Sequence, residues 1–156
     1  MNHFLHRSTG SSSYATFFYA ELQPEKRQFR YVNAGHNPPY LLRAGNSSTR
    51  ENEKPCCIEE LKTGGSVIGL FPEESYEEAV VDLHPGDMVL AFTDGVPEAL
   101  SPQEEEFGEE RLKELLRRVA QLPAQQMVAS ISQELHGWIA DAPQHDDLTF
   151  IILKVT

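Results

Sequence analysis

The spacing of apolar residues changes twice along this chain, and that change limits the folds open to it more than any other feature. Up to Phe92 the apolar side chains come in short alternating or continuous runs. From Leu112 they fall at i, i+3, i+4 and i+7 (Leu112, Leu115, Leu116, Val119). Behind Pro123, Met127, Ile131, Leu135, Trp138 and Ile139 then share one helical face. The last run, residues 148–155, returns to β-branched and aromatic strand chemistry. A period of two suits a pleated strand, and a period of 3.6 suits a helix that buries one stripe. Strands, two amphipathic helices and a closing strand predict an α+β fold, with Pro123 near a helix start.

Residues 1–6 read as the end of a helix, broken by Ser8-Thr9-Gly10-Ser11-Ser12-Ser13. Residues 14–22 and 29–33 are rich in aromatic and β-branched side chains. Pro24-Glu25-Lys26-Arg27 separates them, which predicts a hairpin. Residues 33–39 predict a tight turn closed by Pro38 and Pro39, leading into a short strand over 40–43. Residues 44–65 follow neither period and predict a surface loop. Three more strands are expected over 66–70, 76–83 and 87–92. The last is nearly all apolar (Met88, Val89, Leu90, Ala91, Phe92) and belongs in the centre of a sheet.

Composition narrows the function. With 40% apolar residues in 156, the chain can bury one ordinary core, so residues 1–156 are expected to form a single domain. The balance of 24 Asp and Glu against 13 Lys and Arg, a net charge of −11, repels nucleic acid and acidic membrane surfaces. No apolar run approaches the roughly 20 residues of a membrane helix, and residues 1–7 carry no signal-peptide core. Cys56 and Cys57 are adjacent, which suits neither an unstrained disulfide nor a zinc knuckle, and fits a reducing cytoplasm.

Two places have the residues for chemistry. Asp94 follows the apolar strand directly and precedes Gly95, so its carboxylate stands at the end of a rigid element beside a residue without a Cβ. Asp146 and Asp147 stand just before the last strand. If a sheet brings these strand ends together, the clustered carboxylates need a cation to compensate their charge. Oxygen donors without thiolates or paired histidines select Mg²⁺, Mn²⁺ or Ca²⁺ over Zn²⁺. The plain alternative is an Asp that hydrogen-bonds its own turn.

An ordered set of motifs carries a resemblance. Tyr31-Val32-Asn33-Ala34-Gly35-His36-Asn37-Pro38-Pro39 comes first, then Gly69 and Leu83-His84-Pro85-Gly86-Asp87. Thr93-Asp94-Gly95-Val96-Pro97-Glu98-Ala99, Phe107-Gly108 and Asp146-Asp147-Leu148-Thr149 follow. In order and spacing, from about Phe4 to Val155, this resembles the sporulation stage II E family of bacterial serine phosphatases, relatives of protein phosphatase 2C. The resemblance implies an α-β-β-α sandwich of antiparallel sheets flanked by helices. It implies a phosphoserine or phosphothreonine phosphatase that uses two Mn²⁺ or Mg²⁺ ions to activate a water, with no side chain as covalent nucleophile.

Asp94 and Asp146 match the family's metal aspartates, with Gly95, Asp147 and His36 adjacent to the site. Asp147 is expected to shape the turn, and His36 stands open between a catalytic contact and a hydrogen bond within its own turn. The implied partners are a phosphorylated protein substrate of the anti-sigma-factor antagonist type and an N-terminal sensor or regulatory domain.

The family also carries an upstream Gly-Asp-Val-Ser-Gly segment whose aspartate bridges the metals. No such segment occurs here, and Met1-Asn2-His3-Phe4-Leu5 already matches a later helix. The expectation is an N-terminally incomplete domain with reduced metal occupancy and a free sheet edge open to homo-oligomerisation. The alternative function is a phosphatase-like binding module without metal chemistry.

Overall fold

The computed structural model describes residues 1–9, 13–44 and 57–156. In chain order its first elements are α1 (Asn2–Ser8), β1 (Phe17–Gln23), β2 (Gln28–Ala34), β3 (Tyr40–Leu42), β4 (Ile58–Glu60) and β5 (Gly64–Gly65). There follow β6 (Ala79–Asp82), β7 (Met88–Phe92), α2 (Glu109–Val119), α3 (Ala124–Ile139) and β8 (Phe150–Lys154). They fall into two units, Met1–Pro38 with Glu60–Leu83, and Pro39–Glu59 with His84–Thr156.

In the first unit β1 and β2 form the expected hairpin, in unbroken antiparallel register from Phe17 opposite Ala34 to Gln23 opposite Gln28. A 3-10 turn over Pro24–Lys26 connects them. Proline pre-sets its first dihedral, and Arg27 reverses the chain at a left-handed φ of 53°. Burial alternates along β2, with Phe29 and Tyr31 inside and Phe18 of β1 stacked on both at 6.5 and 5.7 Å. On the far side of β2, β6 pairs antiparallel and β5 pairs parallel.

Two expectations fail here, for separable reasons. Residues 58–60 and 64–65, expected within a loop, are strands; residues 45–56 of that segment lie outside the described residues. β5 is two glycines, which carry no hydrophobic period, and a Cβ on Gly64 would collide with the Asn33 carbonyl. Conversely, residues 66–70 form no strand beyond a single bridge between Ile68 and Ala15. The backbone groups of Gly69 are taken by α1 instead: its N–H donates to Asn2 Oδ1 at 2.7 Å, and its carbonyl meets His6 Nδ1 at 2.8 Å. The strand expected over 76–83 is shorter, residues 79–82.

In the second unit the sheet order is β4-β3-β7-β8, so the apolar β7 is interior as its composition requires. Met88, Val89, Leu90 and Phe92 are all buried. Tyr40, Leu42 and Met88 join one cluster with Leu112, Leu115, Leu116 and Val119 of α2 and Met127, Ile131 and Leu135 of α3. At about 1.5–3 kcal/mol for each fully buried aliphatic side chain, this cluster is the main stabilisation of the unit. Acidic Glu109 and Glu110 open α2 and Arg117 and Arg118 close it, in the sense the helix dipole favours. Lys154 Nζ of β8 donates to the carbonyls of Ala120 and Leu122 beyond its C-terminal end.

The turn into β7 is built on Asp87, whose side chain is 2% exposed. Its carboxylate accepts the Ala44 and His84 amides at 2.8 and 3.0 Å and an Arg43 Nη at 3.0 Å. Burial pushes this carboxyl up, but the two amides and the guanidinium outweigh it and hold it below the usual carboxylate range. Arg43 is shared with Glu59, and that hydrogen-bonded partner raises its pKa. No described helix is long and apolar enough to cross a membrane.

Candidate metal centre

The site begins where β7 ends. One residue past the strand, Thr93 continues the ladder toward β8, its N–H donating to the Thr149 carbonyl at 3.0 Å. Its hydroxyl donates to the Asp147 carbonyl at 2.9 Å and accepts the Thr149 amide at 3.1 Å. Thr93 thereby ties the segment that carries Asp94 to the segment that carries Asp146 and Asp147. Sequence reasoning gave Thr93 no role. The available signal was a hydroxyl one residue past an interior strand, beside the candidate ligand.

Beyond Thr93 the chain makes a helical turn, with Val96 N–H to the Thr93 carbonyl and Glu98 N–H to the Asp94 carbonyl, both at 3.0 Å. Val96, 1% exposed, anchors that turn in the core. A Cβ on Gly95 would lie 2.6 Å from the Asp147 carbonyl oxygen and 3.5 Å from Asp146 Cβ. The space left by its missing side chain is therefore occupied by the opposing backbone. Glycine at this position lets the two acidic turns touch.

Asp94, Asp146 and Asp147 are all exposed. Asp94 Oδ1 accepts the Gly95 amide at 3.1 Å, and Asp146 Oδ1 accepts the Asp147 amide at 2.7 Å. Each aspartate thus orients itself through the next amide, and among the described residues no Lys, Arg or His forms an ion pair with either. A cavity of about 60 Å³ opens beside them, lined by Gly95, Glu98, Ile139, His145, Asp146 and Leu148 among others.

The donor chemistry, two carboxylates without thiolate, fits a hard divalent ion. The donor count fits only part of a coordination shell, since no three His, Cys, Asp or Glu side chains converge to hold an ion among the described residues.

His36 belongs to the first unit, and Asp94, Asp146 and Asp147 belong to the second. It closes a turn organised by buried Asn33, 3% exposed, whose Oδ1 accepts the His36 amide at 2.8 Å. The Asn33 amide group donates to the His36 and Leu61 carbonyls at 2.9 and 3.3 Å. Gly35 supplies the left-handed φ of 69° that the turn needs. The His36 ring meets the Thr16 hydroxyl at 3.3 Å. The Asn-Ala-Gly-His motif is an architectural turn whose pivotal side chain is Asn33.

A mixed fold of two mainly antiparallel sheets and helices is that of structures in the protein phosphatase 2C class. The SiaA-PP2C domain of Pseudomonas aeruginosa superposes with a TM-score of 0.77 at 22% identity, covering 99% of this chain and 58% of that one. A manganese-presoaked structure of the phosphatase domain of the cell fate determinant SpoIIE from Bacillus subtilis gives 0.63 at 13% identity, covering 90% and 56%.

Within that class, residues 1–156 match the Stage II sporulation protein E (SpoIIE) model, and the chain belongs to this family of protein serine phosphatases. It is 30% identical over 155 residues to the phosphoserine phosphatase RsbU of Bacillus subtilis, across 99% of this chain and 43% of RsbU. It is 33% identical over 139 residues to protein IcfG of Synechocystis sp., across 88% of this chain and 20% of IcfG. The chain thus spans less than half the length of either curated relative.

Proposed function

We propose that this chain supplies metal ligands to a protein serine/threonine phosphatase site, with Asp94 and Asp146 as first-coordination carboxylates for Mn²⁺ or Mg²⁺. The observation that carries this reading is the contact of the two acidic turns at Gly95, with no cationic side chain in an ion pair with either among the described residues. Like charges held together in this way are stabilised when a cation binds between them. A bound divalent ion would supply Lewis-acid charge neutralisation and water activation for attack on the phosphorus of a phosphoserine ester.

The protein's part is positioning. Thr93 fixes the spacing of the two turns, Gly95 permits their approach, Asp147 lends its backbone to both contacts, and Asp94 and Asp146 offer their remaining oxygens. Water or further carboxylates complete the shell, two ions being the full complement. The substrate we infer is a phosphorylated regulatory protein of the anti-sigma-factor antagonist type, supported by the likeness to RsbU. Exposed, free Cys57 suits a reducing, cytoplasmic setting.

The two-donor count among the described residues favours a second reading, a phosphatase-like module that binds a partner without chemistry. Hydrolysis of p-nitrophenyl phosphate separates the two. The enzyme reading expects Mn²⁺-dependent turnover that Asp94→Asn lowers by more than about 100-fold, beyond what loss of an outer-sphere partner costs. Turnover indifferent to Asp94→Asn sinks the assignment, and no Mn²⁺-dependent turnover by the unsubstituted chain supports the binding module.

A further inference from the structure

The chain that follows the Asp94 turn folds back on itself as a tight hairpin over residues 97–108. The Pro97 and Ala99 carbonyls accept the Gly108 and Phe107 amides, both at 2.8 Å, and Ser101 N–H donates to the Glu105 carbonyl at 2.9 Å. Buried Ser101 closes the tip, its hydroxyl accepting the Gln103 and Glu105 amides at 3.3 and 3.2 Å. Trp138, in the last turn of α3, reaches across to this hairpin. Its Nε1–H is shared between the carbonyls of Ala99, at 3.0 Å, and Glu105, at 3.3 Å, one on each limb. Arg111 of α2 lies over the indole face at 4.3 Å and donates to the Glu106 and Phe107 carbonyls, both at 3.0 Å. The Phe107 ring stands nearly perpendicular to the indole, with centroids 5.8 Å apart.

Trp138 also stands at the root of the segment that carries Asp146. α3 ends at Ile139, and Ala140 turns the chain out of the helix with a left-handed φ of 45°. A residue other than glycine keeps such a conformation only where its surroundings hold it. A short loop then leads to Asp146. The cavity beside Asp146 takes its lining from both segments, Gly95, Glu98 and Leu100 from one and Ile139 and His145 from the other.

We propose that Trp138 is a positioning residue for the metal centre, its indole N–H forming a second tie, besides the Thr93 hydroxyl, between the Asp94 segment and the Asp146 segment. Thr93 joins the two segments at the sheet, and Trp138 joins them at the end of α3. Two segments held at one point can hinge about it, and a second point removes that freedom. Ligand groups need such support to keep a fixed separation. This role rests on the assignment of Asp94 and Asp146 as ligands.

Trp138 is the only tryptophan in the chain, so biosynthetic replacement of tryptophan by benzothienylalanine changes this one side chain. The analogue keeps a flat bicyclic ring for Phe107 and Arg111 and puts sulfur where the N–H donor was. Packing alone predicts no effect of the exchange. The tie predicts that in the metal-free protein the backbone order parameters at Gly95, Asp146 and Asp147 fall from about 0.85 toward 0.6, while those of β7 stay unchanged. It also predicts that Mn²⁺ uptake weakens about tenfold, the low end for loss of a group that orients ligands from outside the coordination shell. Order parameters unchanged at Gly95, Asp146 and Asp147 overturn the tie, and an unweakened Mn²⁺ affinity overturns its role at the metal. No uptake by the unsubstituted chain overturns instead the ligand assignment, and the order parameters then still decide the tie.

Discussion

Two polar turns carry most of this chain's recognisable sequence, and they use their side chains in opposite ways. At Asn33–His36 the polar group is buried and spends its hydrogen bonds inward, on the His36 amide and on the His36 and Leu61 carbonyls. At Thr93–Gly95 and Asp146–Thr149 the two turns are tied together by the Thr93 hydroxyl and by backbone, while the carboxylates stand exposed with one oxygen committed to the next amide. A motif residue whose polar atoms are satisfied inside the fold is committed to architecture; one held outward in a fixed pose has oxygens left to offer a ligand. The two turns should therefore separate stability from chemistry when they are mutated.

Asn33→Ala gives the largest stability loss expected, about 2–3 kcal/mol, because it strands buried backbone groups at both ends of the turn. His36→Ala removes one exposed ring contact and should cost less than about 0.5 kcal/mol. Chemical denaturation measures both, and equal losses would break the distinction between the pivot of the turn and its passenger.

Asp87→Asn sharpens it from the second unit, with an expected loss of about 1–2 kcal/mol at neutral pH. The sign of its pH dependence follows from its lowered pKa. A carboxylate depressed in the folded state contributes stability that is complete above its unfolded value, near ~3.9, and is lost as pH falls through the folded value. The gap between the native chain and Asp87→Asn should stay constant from neutral pH down to about 5 and close below about 4. A gap that widens on acidification contradicts the account of that turn.

Thr93→Val has a smaller thermodynamic effect than either Asn33→Ala or Asp87→Asn, about 1 kcal/mol, since it removes one hydroxyl that bonds Asp147 and Thr149. It should also weaken Mn²⁺ binding by roughly 10-fold, the scale expected when a partner that orients ligands is lost. A stability loss without any change in Mn²⁺ affinity would show that Thr93 only closes the sheet.

The strongly periodic parts of the fold were legible from the residues. The stripes on α2 and α3, the apolar β7 and the alternating β2 each repeat a signal over several residues, and each packs as the repeat requires. Elements that carry no repeat were not legible. β5 consists of two glycines, and β4 is three residues long. Residues 66–70 have strand composition, yet Asn2 and His6 claim the Gly69 backbone from more than sixty positions away.

At the site, the pairing of Asp94 with the Asp146 segment followed from strand ends and family motifs. The reason for Gly95 did not, because the Asp147 carbonyl that fills its space is distant in sequence. Asn33 stood in a recognised motif, but its role as the pivot of the turn was not legible, in part because its Leu61 partner lies 28 residues away.

The central claim is that Asp94 and Asp146 hold a divalent ion, and Mn²⁺ binding measures it without relying on turnover. Titration of the chain, followed by the electron paramagnetic resonance signal of free Mn²⁺, should show saturable uptake. Asp94→Asn and Asp146→Asn should each weaken that uptake by more than about tenfold while leaving the melting temperature unchanged. Uptake equal in all three proteins, or none in the unsubstituted chain, would contradict the assignment.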